Sequence, residues 1–182
     1  MLYFWRVSTE EKRGHIISQE DPNDLLERIN NQLPQAAWVK STHQDSLVLS
    51  VWFPYGCNIS GRLFPEGPNG RAVRVDMISV SPYLQRKGIG SRLLRSFTRA
   101  AVNSGATVLS GEIVGIEGLK TMARVFGKEN LWFFAENNCK FDYYEQRFLS
   151  GGNFSTRVGV DLTHIDVSSW ELAEISPESD IS

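Results

Sequence analysis

Cysteine is nearly missing from this chain: of 182 residues only Cys57 and Cys139 carry a thiol, they stand far apart, and no C-x-x-C occurs. A disulfide framework or a thiolate metal site needs more cysteines at closer spacing, so the two read as free thiols in a reducing compartment. Histidine is as scarce. His15, His43 and His164 fall into neither triad nor metal-ligand spacing and read as solvated or packed rings, so no metal is expected. Long apolar runs are lacking too. The opening Leu2 to Trp5 is short and is followed at once by charge, so neither a signal peptide nor a membrane span is expected, and the compartment implied is the cytoplasm. Charge of one sign is not in excess either. Nineteen Lys and Arg against 21 Asp and Glu leave a formal net charge of −2, which gives no general pull toward nucleic acid.

What is present has the size of one domain. Residues 1–167 are expected to form it, with residues 168–182, acidic and serine-rich, as a frayed tail. Leu2 to Val7 reads as a first strand. Asp21, Pro22, Asn23 and Asp24 supply helix-start chemistry before Leu25, Leu26, Ile29 and Leu33, and Pro34 closes that helix. Trp38 to Thr42 and Ser46 to Phe53 are β-rich runs around His43, Gln44 and Asp45, which suits a hairpin, and Asn58 to Phe64 reads as a further strand. Pro65, Gly67, Pro68, Asn69 and Gly70 make a turn-rich loop before the strand Val73 to Val80.

Later in the chain, Thr107 to Val114 reads as a strand parallel to Val73 to Val80 across an intervening helix. Leu119, Met122, Ala123, Val125 and Phe126 suggest one helix and Leu131 to Ala135 a second, with Gly127 between them. Phe141 to Leu149 and Phe154 to Leu162, around Ser150, Gly151, Gly152 and Asn153, suggest a closing β-hairpin.

The most informative stretch is residues 80–90, Val80-Ser-Pro-Tyr-Leu-Gln-Arg-Lys-Gly-Ile-Gly90, which joins a buried strand to an amphipathic helix. Ile89, Leu93, Leu94, Phe97, Ala100 and Ala101 recur at spacings of three and four and give that helix an apolar stripe, with Arg92, Arg95 and Arg99 on the other face. A helix start offers unpaired backbone N–H groups and the positive end of the macrodipole, so it attracts phosphate. Gly88 and Gly90 let a ligand approach the backbone, and Arg86 and Lys87 add charge suited to a pyrophosphate. Two better-known phosphate loops are excluded. Leu93 stands where a dinucleotide fold needs its third glycine, and no G-K-S/T follows.

The run V-x-P-x-x-Q-R-K-G-I-G-S-x-L-L closely resembles the acetyl-CoA loop of the GNAT acyltransferase superfamily, whose pattern is Q/R-x-x-G-x-G/A; Gln85, Gly88 and Gly90 match its defining positions. The order of expected elements agrees with that family over most of the chain. The resemblance implies an α/β fold: a central mixed, mostly antiparallel sheet with a parallel, splayed pair of strands and flanking helices.

By the same resemblance, the backbone of Gln85, Arg86, Lys87, Gly88, Ile89, Gly90 and Ser91 would bind the CoA pyrophosphate. Ile78, Ser79 and Val80 would pair with the pantetheine arm in the splay. Acyl transfer to an amine also needs a base and a proton for the departing thiolate. Glu112, on the strand after the motif helix, is the leading base and Asp76 the second; the competing readings are a strand-end carboxylate or an ion pair with an arginine such as Arg74.

The family's tyrosine acid, in a pattern like F-Y-E-x-x-G-F, has two registers here. One uses Phe126 and Gly127; the other, preferred because a hairpin should follow at once, uses Phe133, Phe134, Ala135 and Glu136. Neither supplies a hydroxyl, which leaves water, Tyr143, Tyr144 or Tyr83 for the role, and core packing as the plain reading of Trp132, Phe133 and Phe134. The function implied is acetyl-CoA-dependent N-acetylation of a primary amine on a protein or small molecule. The alternative is a catalytically impaired module that binds acetyl-CoA, CoA or a protein partner. Neither a membrane nor nucleic acid is implied as a partner, and a homodimer is compatible with the family.

Overall fold

The computed structural model describes residues 37–41, 47–53, 57–67, 70–82, 85–134, 140–151 and 153–170. The strand expected at Leu2 to Val7, the helix expected after Asp21 and the hairpin turn at His43 to Asp45 lie outside them. The described residues build one seven-stranded mixed sheet with helices packed against it.

Strands β1 (Ala37–Ser41), β2 (Leu47–Phe53), β3 (Cys57–Gly67) and β4 (Gly70–Ser79) form an antiparallel meander. Helix α1 (Ile89–Asn103) then carries the chain to β5 (Ala106–Ile113), which lies parallel to β4. Helix α2 (Ile116–Phe126), the short edge strand β6 (Leu131–Phe133), helix α3 (Phe141–Leu149) and strand β7 (Thr156–Asp161) complete the order, with β7 inserted between β5 and β6. This is the mixed, mostly antiparallel α/β sheet with one parallel pair that the sequence implies. No helix among the described residues is long and apolar enough to cross a membrane.

The core lies on the face of the sheet that α1 covers. Leu93, Leu94, Phe97, Ala100 and Ala101 are all buried, as their three-and-four spacing requires. Phe97 is fully buried against the sheet. It sits where Gly61 leaves room, since a Cβ there would lie 2.6 Å from Phe97 Cζ and would also meet the carbonyl oxygen of Arg74. At the other end of α1, buried Arg71 donates from Nη1 to the Ser104 carbonyl at 3.0 Å, placing positive charge at the negative end of the helix.

The parallel pair opens because β4 bends. Against β3, Gly61 faces Val75 and Ser60 faces Met77, so Asp76 is an extra residue in β4, a bulge that turns the strand. Pairing of β4 with β5 ends at Val75↔Gly111, although β4 continues to Ser79 and β5 to Ile113. The sheet forks there.

Three expectations fail. Phe141 to Leu149 is helix α3 and not a hairpin strand: Tyr144 is buried and Phe141 and Phe148 pack against the core, the period of a helix. Leu131 to Phe133 is strand β6 and not a second helix, with Leu131 and Phe133 against the core and Trp132 outward. Strand β3 runs through Pro65 to Gly67, past an irregularity between Leu63 and Glu66, which is the kind of position where a strand tolerates proline. The packed chain also continues beyond residue 167: the Trp170 ring lies 5.9 Å from that of Phe126, and Arg99 Nη1 donates to the Trp170 carbonyl at 3.4 Å. Residues 171–182 of the expected tail lie outside the described residues.

Candidate functional site

At the start of α1 the chain twice takes up left-handed backbone: Arg86 has φ 65° and Gly88 has φ 80°. The first intrahelical bond runs from Arg92 N–H to the Gly88 carbonyl at 3.1 Å, so the amides of Ile89, Gly90 and Ser91 precede the helical ladder. One contact fastens this turn to the end of β4, and a second fastens the end of β4 to the start of β3. Gln85 Nε2 donates to the Val80 carbonyl at 3.3 Å, and Ser81 N–H donates to Sγ of Cys57, a buried free thiol, at 3.4 Å.

The turn forms one wall of a cleft of about 70 Å³ open to water-sized molecules. Ile78 and Val80 line it from β4 and its end, Gln85, Arg86 and Gly88 from the turn, and Ile89, Gly90 and Ser91 from α1. Of the residues the sequence singles out for this role, Ser79 and Lys87 do not line the cleft; Lys87 is exposed beside it. Two details suit an anionic ligand. Ser91 Oγ is buried and has no hydrogen-bond partner among the described residues, which leaves a polar atom to be satisfied at the helix start. A Cβ on Gly90 would make only ordinary contacts, 3.8 Å from Thr121 and Val80, so packing does not demand a glycine there, and any longer side chain would enter the cleft.

The opposite wall was missed in the sequence. Glu117, Gly118, Thr121 and Arg124 of α2 line it. A sequence signal exists: Glu117, Thr121 and Arg124 are spaced i, i+4, i+7, which puts them on one helix face, while Leu119, Met122 and Phe126 are buried on the other. Arg86 and Arg124 thus bring positive charge from opposite walls.

The two candidate bases lie at the fork. Asp76 and Glu112 each follow the last paired residue of their strand, on the sheet face away from α1. They differ in what holds them. Arg62 binds Asp76 at 2.9 Å (Nε to Oδ2) and 3.4 Å (Nη2 to Oδ1), and Arg74 Nε lies 3.6 Å from its Oδ1. The ion-pair reading therefore describes Asp76, and it includes Arg74. Glu112 faces Arg157 across the β5–β7 ladder and has no ion pair among the described residues.

Helix α2 ends at Phe126, and Gly127 breaks it with φ 81°. Phe133 lies in β6 and Phe134 just after it, so the preferred register for the tyrosine pattern does not fall at a helix end; Phe126 and Gly127 do. Neither α3 tyrosine lines the cleft. Tyr144 is buried with its ring 4.2 Å from Phe133, and the Tyr143 hydroxyl accepts from Arg147 Nη1 at 2.8 Å. Tyr83 and residues 135–139 lie outside the described residues. His164 is exposed in a turn.

No protein-family model and no curated protein sequence matches the chain. Among solved structures it is similar to an IAA acetyltransferase from Bacillus cereus, at 19% identity over 65% of this chain and 79% of that one, with a TM-score of 0.43. It is also similar to an acetyltransferase from Bacillus subtilis in complex with CoA, at 15% identity over 80% and 95% of the two chains, with a TM-score of 0.43. A GNAT family acetyltransferase from Elizabethkingia anophelis with acetyl-CoA bound is 15% identical over 81% and 95%, with a TM-score of 0.39. With TM-scores below 0.5, the functional reading is left to the geometry of the site itself.

Proposed function

We propose that this chain is an N-acetyltransferase that moves an acetyl group from acetyl-CoA to a primary amine. One observation carries the reading: the anion-suited turn at the start of α1 and the fork between β4 and β5 adjoin at the end of β4, where Ile78 and Val80 line the cleft. An elongated ligand with a pyrophosphate at one end can lie along it. The residues present fit such a group, since Ser91 Oγ is a buried hydroxyl without a partner among the described residues and Arg86 and Arg124 flank the cleft.

In this reading the amides at the start of α1, with Arg86 and Arg124, hold the pyrophosphate. The β5-facing edge of Asp76 to Ser79, which has no strand partner past Val75, pairs with the amides of the pantetheine arm. Acetyl-CoA supplies the thioester carbonyl that the amine attacks, forming a C–N bond as the C–S bond breaks. Glu112 takes the proton leaving the amine nitrogen, and the CoA thiolate collects one from water, since Phe126 at the end of α2 has no hydroxyl. Asp76 orients Arg62 and Arg74 and takes no part in proton transfer.

Calorimetry with acetyl-CoA and a thiol-release assay over a panel of amines test this. We expect binding, and release that depends on an amine. Glu112→Gln should lower kcat about 10²–10⁴-fold and leave acetyl-CoA affinity unchanged. Failure to bind acetyl-CoA overturns the reading. The phenylalanine at the end of α2 favours one second reading, a module that binds acyl-CoA without transfer, and tight binding with no release on any amine would establish it.

A further inference from the structure

The cleft at the start of α1 is graded in depth. Ser91 is only 5% exposed, and its buried Oγ has no partner among the described residues, whereas Arg86 on one wall and Arg124 on the other are exposed. Thr121, half-buried, stands between these levels. Its Oγ1 would lie 3.9 Å from a Cβ on Gly90, so α2 closes over the first turn of α1. Neither arginine has an ion pair among the described residues. Charge is graded as well, along α2. Glu117 and Arg124 line the same wall roughly 10 Å apart along the helix, with the acid at the end next to β5 and the fork. Phosphate is repelled at Glu117 and drawn toward Arg124, which keeps it in the cleft and out of the fork.

We infer that Arg124 makes this cleft select free coenzyme A thioesters over thioesters of 4′-phosphopantetheine borne by a carrier protein. The inference rests on the acyl-CoA reading of the cleft and divides the diphosphate between its two depths. Both donors share the phosphate next to the pantetheine arm; only coenzyme A adds a second, toward the nucleoside. The arm reaches the fork past Ile78 and Val80, which are buried and line the cleft, so the shared phosphate is the inner one. Ser91 Oγ and the amides of Ile89, Gly90 and Ser91 serve it. The second phosphate then lies at the rim, between Arg86 and Arg124, whose planar guanidinium groups suit its oxygens. A carrier-borne arm has a neutral serine ester at that place. It brings one negative charge instead of two and leaves both arginines without a partner.

Calorimetry on the full chain compares dephospho-CoA with the methyl phosphodiester of 4′-phosphopantetheine, which share the inner phosphate and differ in the second. The wild type should bind dephospho-CoA at least about ten-fold more tightly. Arg124 is exposed, so replacing it leaves the core intact. Arg124→Gln should lower the affinity for dephospho-CoA about ten-fold and leave that for the phosphodiester unchanged, and Arg124→Lys should restore part of the loss. Ser91→Ala should weaken both ligands by a similar factor. Equal wild-type affinities, or an Arg124→Gln variant that weakens both ligands alike or neither, would overturn the selection while leaving acyl-CoA binding intact. A Ser91→Ala variant that weakens neither ligand would overturn the placement of the inner phosphate. Failure of the wild type to bind either ligand overturns the acyl-CoA reading itself.

Discussion

Arg86 and Gly88 sit in left-handed backbone within three residues of each other, at φ 65° and φ 80°. For arginine this conformation costs about 1–2 kcal/mol, while glycine adopts it freely. The turn holds because Gln85 ties it to Val80 and α1 continues from it, and it aims the first amides of the helix into the cleft. Gly90 has a different role. Its neighbours leave room for a Cβ, so a long cationic side chain there can extend into the space the pyrophosphate would take without disturbing the core. Gly90→Arg is expected to leave the thermal midpoint within a degree or two of wild type and to abolish acetyl-CoA binding by calorimetry. Retained affinity would move the ligand away from this turn. The motif was legible because glycine spacing, cationic neighbours and helix period agree over a dozen adjacent residues. The residues α2 adds were not legible, because nothing local says that Thr121 and Arg124 face Gly90 rather than solvent.

Among the elements, β4 determines the site. Its bulge at Asp76 both bends it from β5 and turns Asp76 toward Arg62 and Arg74, so one extra residue opens the fork and commits the carboxylate to ion pairs. Helix α1 bears on β3, the neighbour of β4, through Phe97, which is fully buried over Gly61. Phe97→Ala is expected to cost about 3–5 kcal/mol, measured by denaturant unfolding. Gly61→Ala should be comparably severe, because a Cβ there meets backbone oxygen as well as ring. A loss below about 1 kcal/mol in both would mean that α1 does not bear on the sheet at this point. Strands β4 and β5 and helix α1 were readable because period and composition agree in each. In α3 they conflict: Phe141, Tyr143, Tyr144 and Phe148 favour strand by composition, while the buried Tyr144 with Phe141 and Phe148 follows the helix period, and tertiary packing decides for the period. β6 misled in the opposite sense, since three consecutive apolar residues carry no period and only the ladder to β7 makes them a strand.

At the scale of the molecule, the chain after β7 closes over the helix layer. Asp161 accepts from the Thr163 hydroxyl at 2.6 Å and from its N–H at 2.9 Å, and Asp166 accepts from the Ser168 hydroxyl and from its N–H at 3.0 Å; the hydroxyl bonds first and the N–H bonds second hold both carboxyls below the ordinary aspartate range, and together they shape two successive turns. Those turns bring Trp170 onto Phe126, at the end of α2, and its carbonyl to Arg99 on α1, so three residues past the expected end of the domain brace both helices that border the cleft. Composition hides this, because a single tryptophan in an acidic, serine-rich stretch changes no average, yet one partly buried indole can contribute about 2 kcal/mol. A chain ending at Val167 is therefore expected to melt roughly 4–8 °C below one ending at Trp170. Trp170→Ala in the full chain should reproduce most of that fall. Since Phe126 ends the helix that carries Thr121 and Arg124, the shorter chain should also bind acetyl-CoA more weakly. If the two truncated chains melt together, Trp170 touches Phe126 without stabilising it, and the brace on the cleft is lost with it.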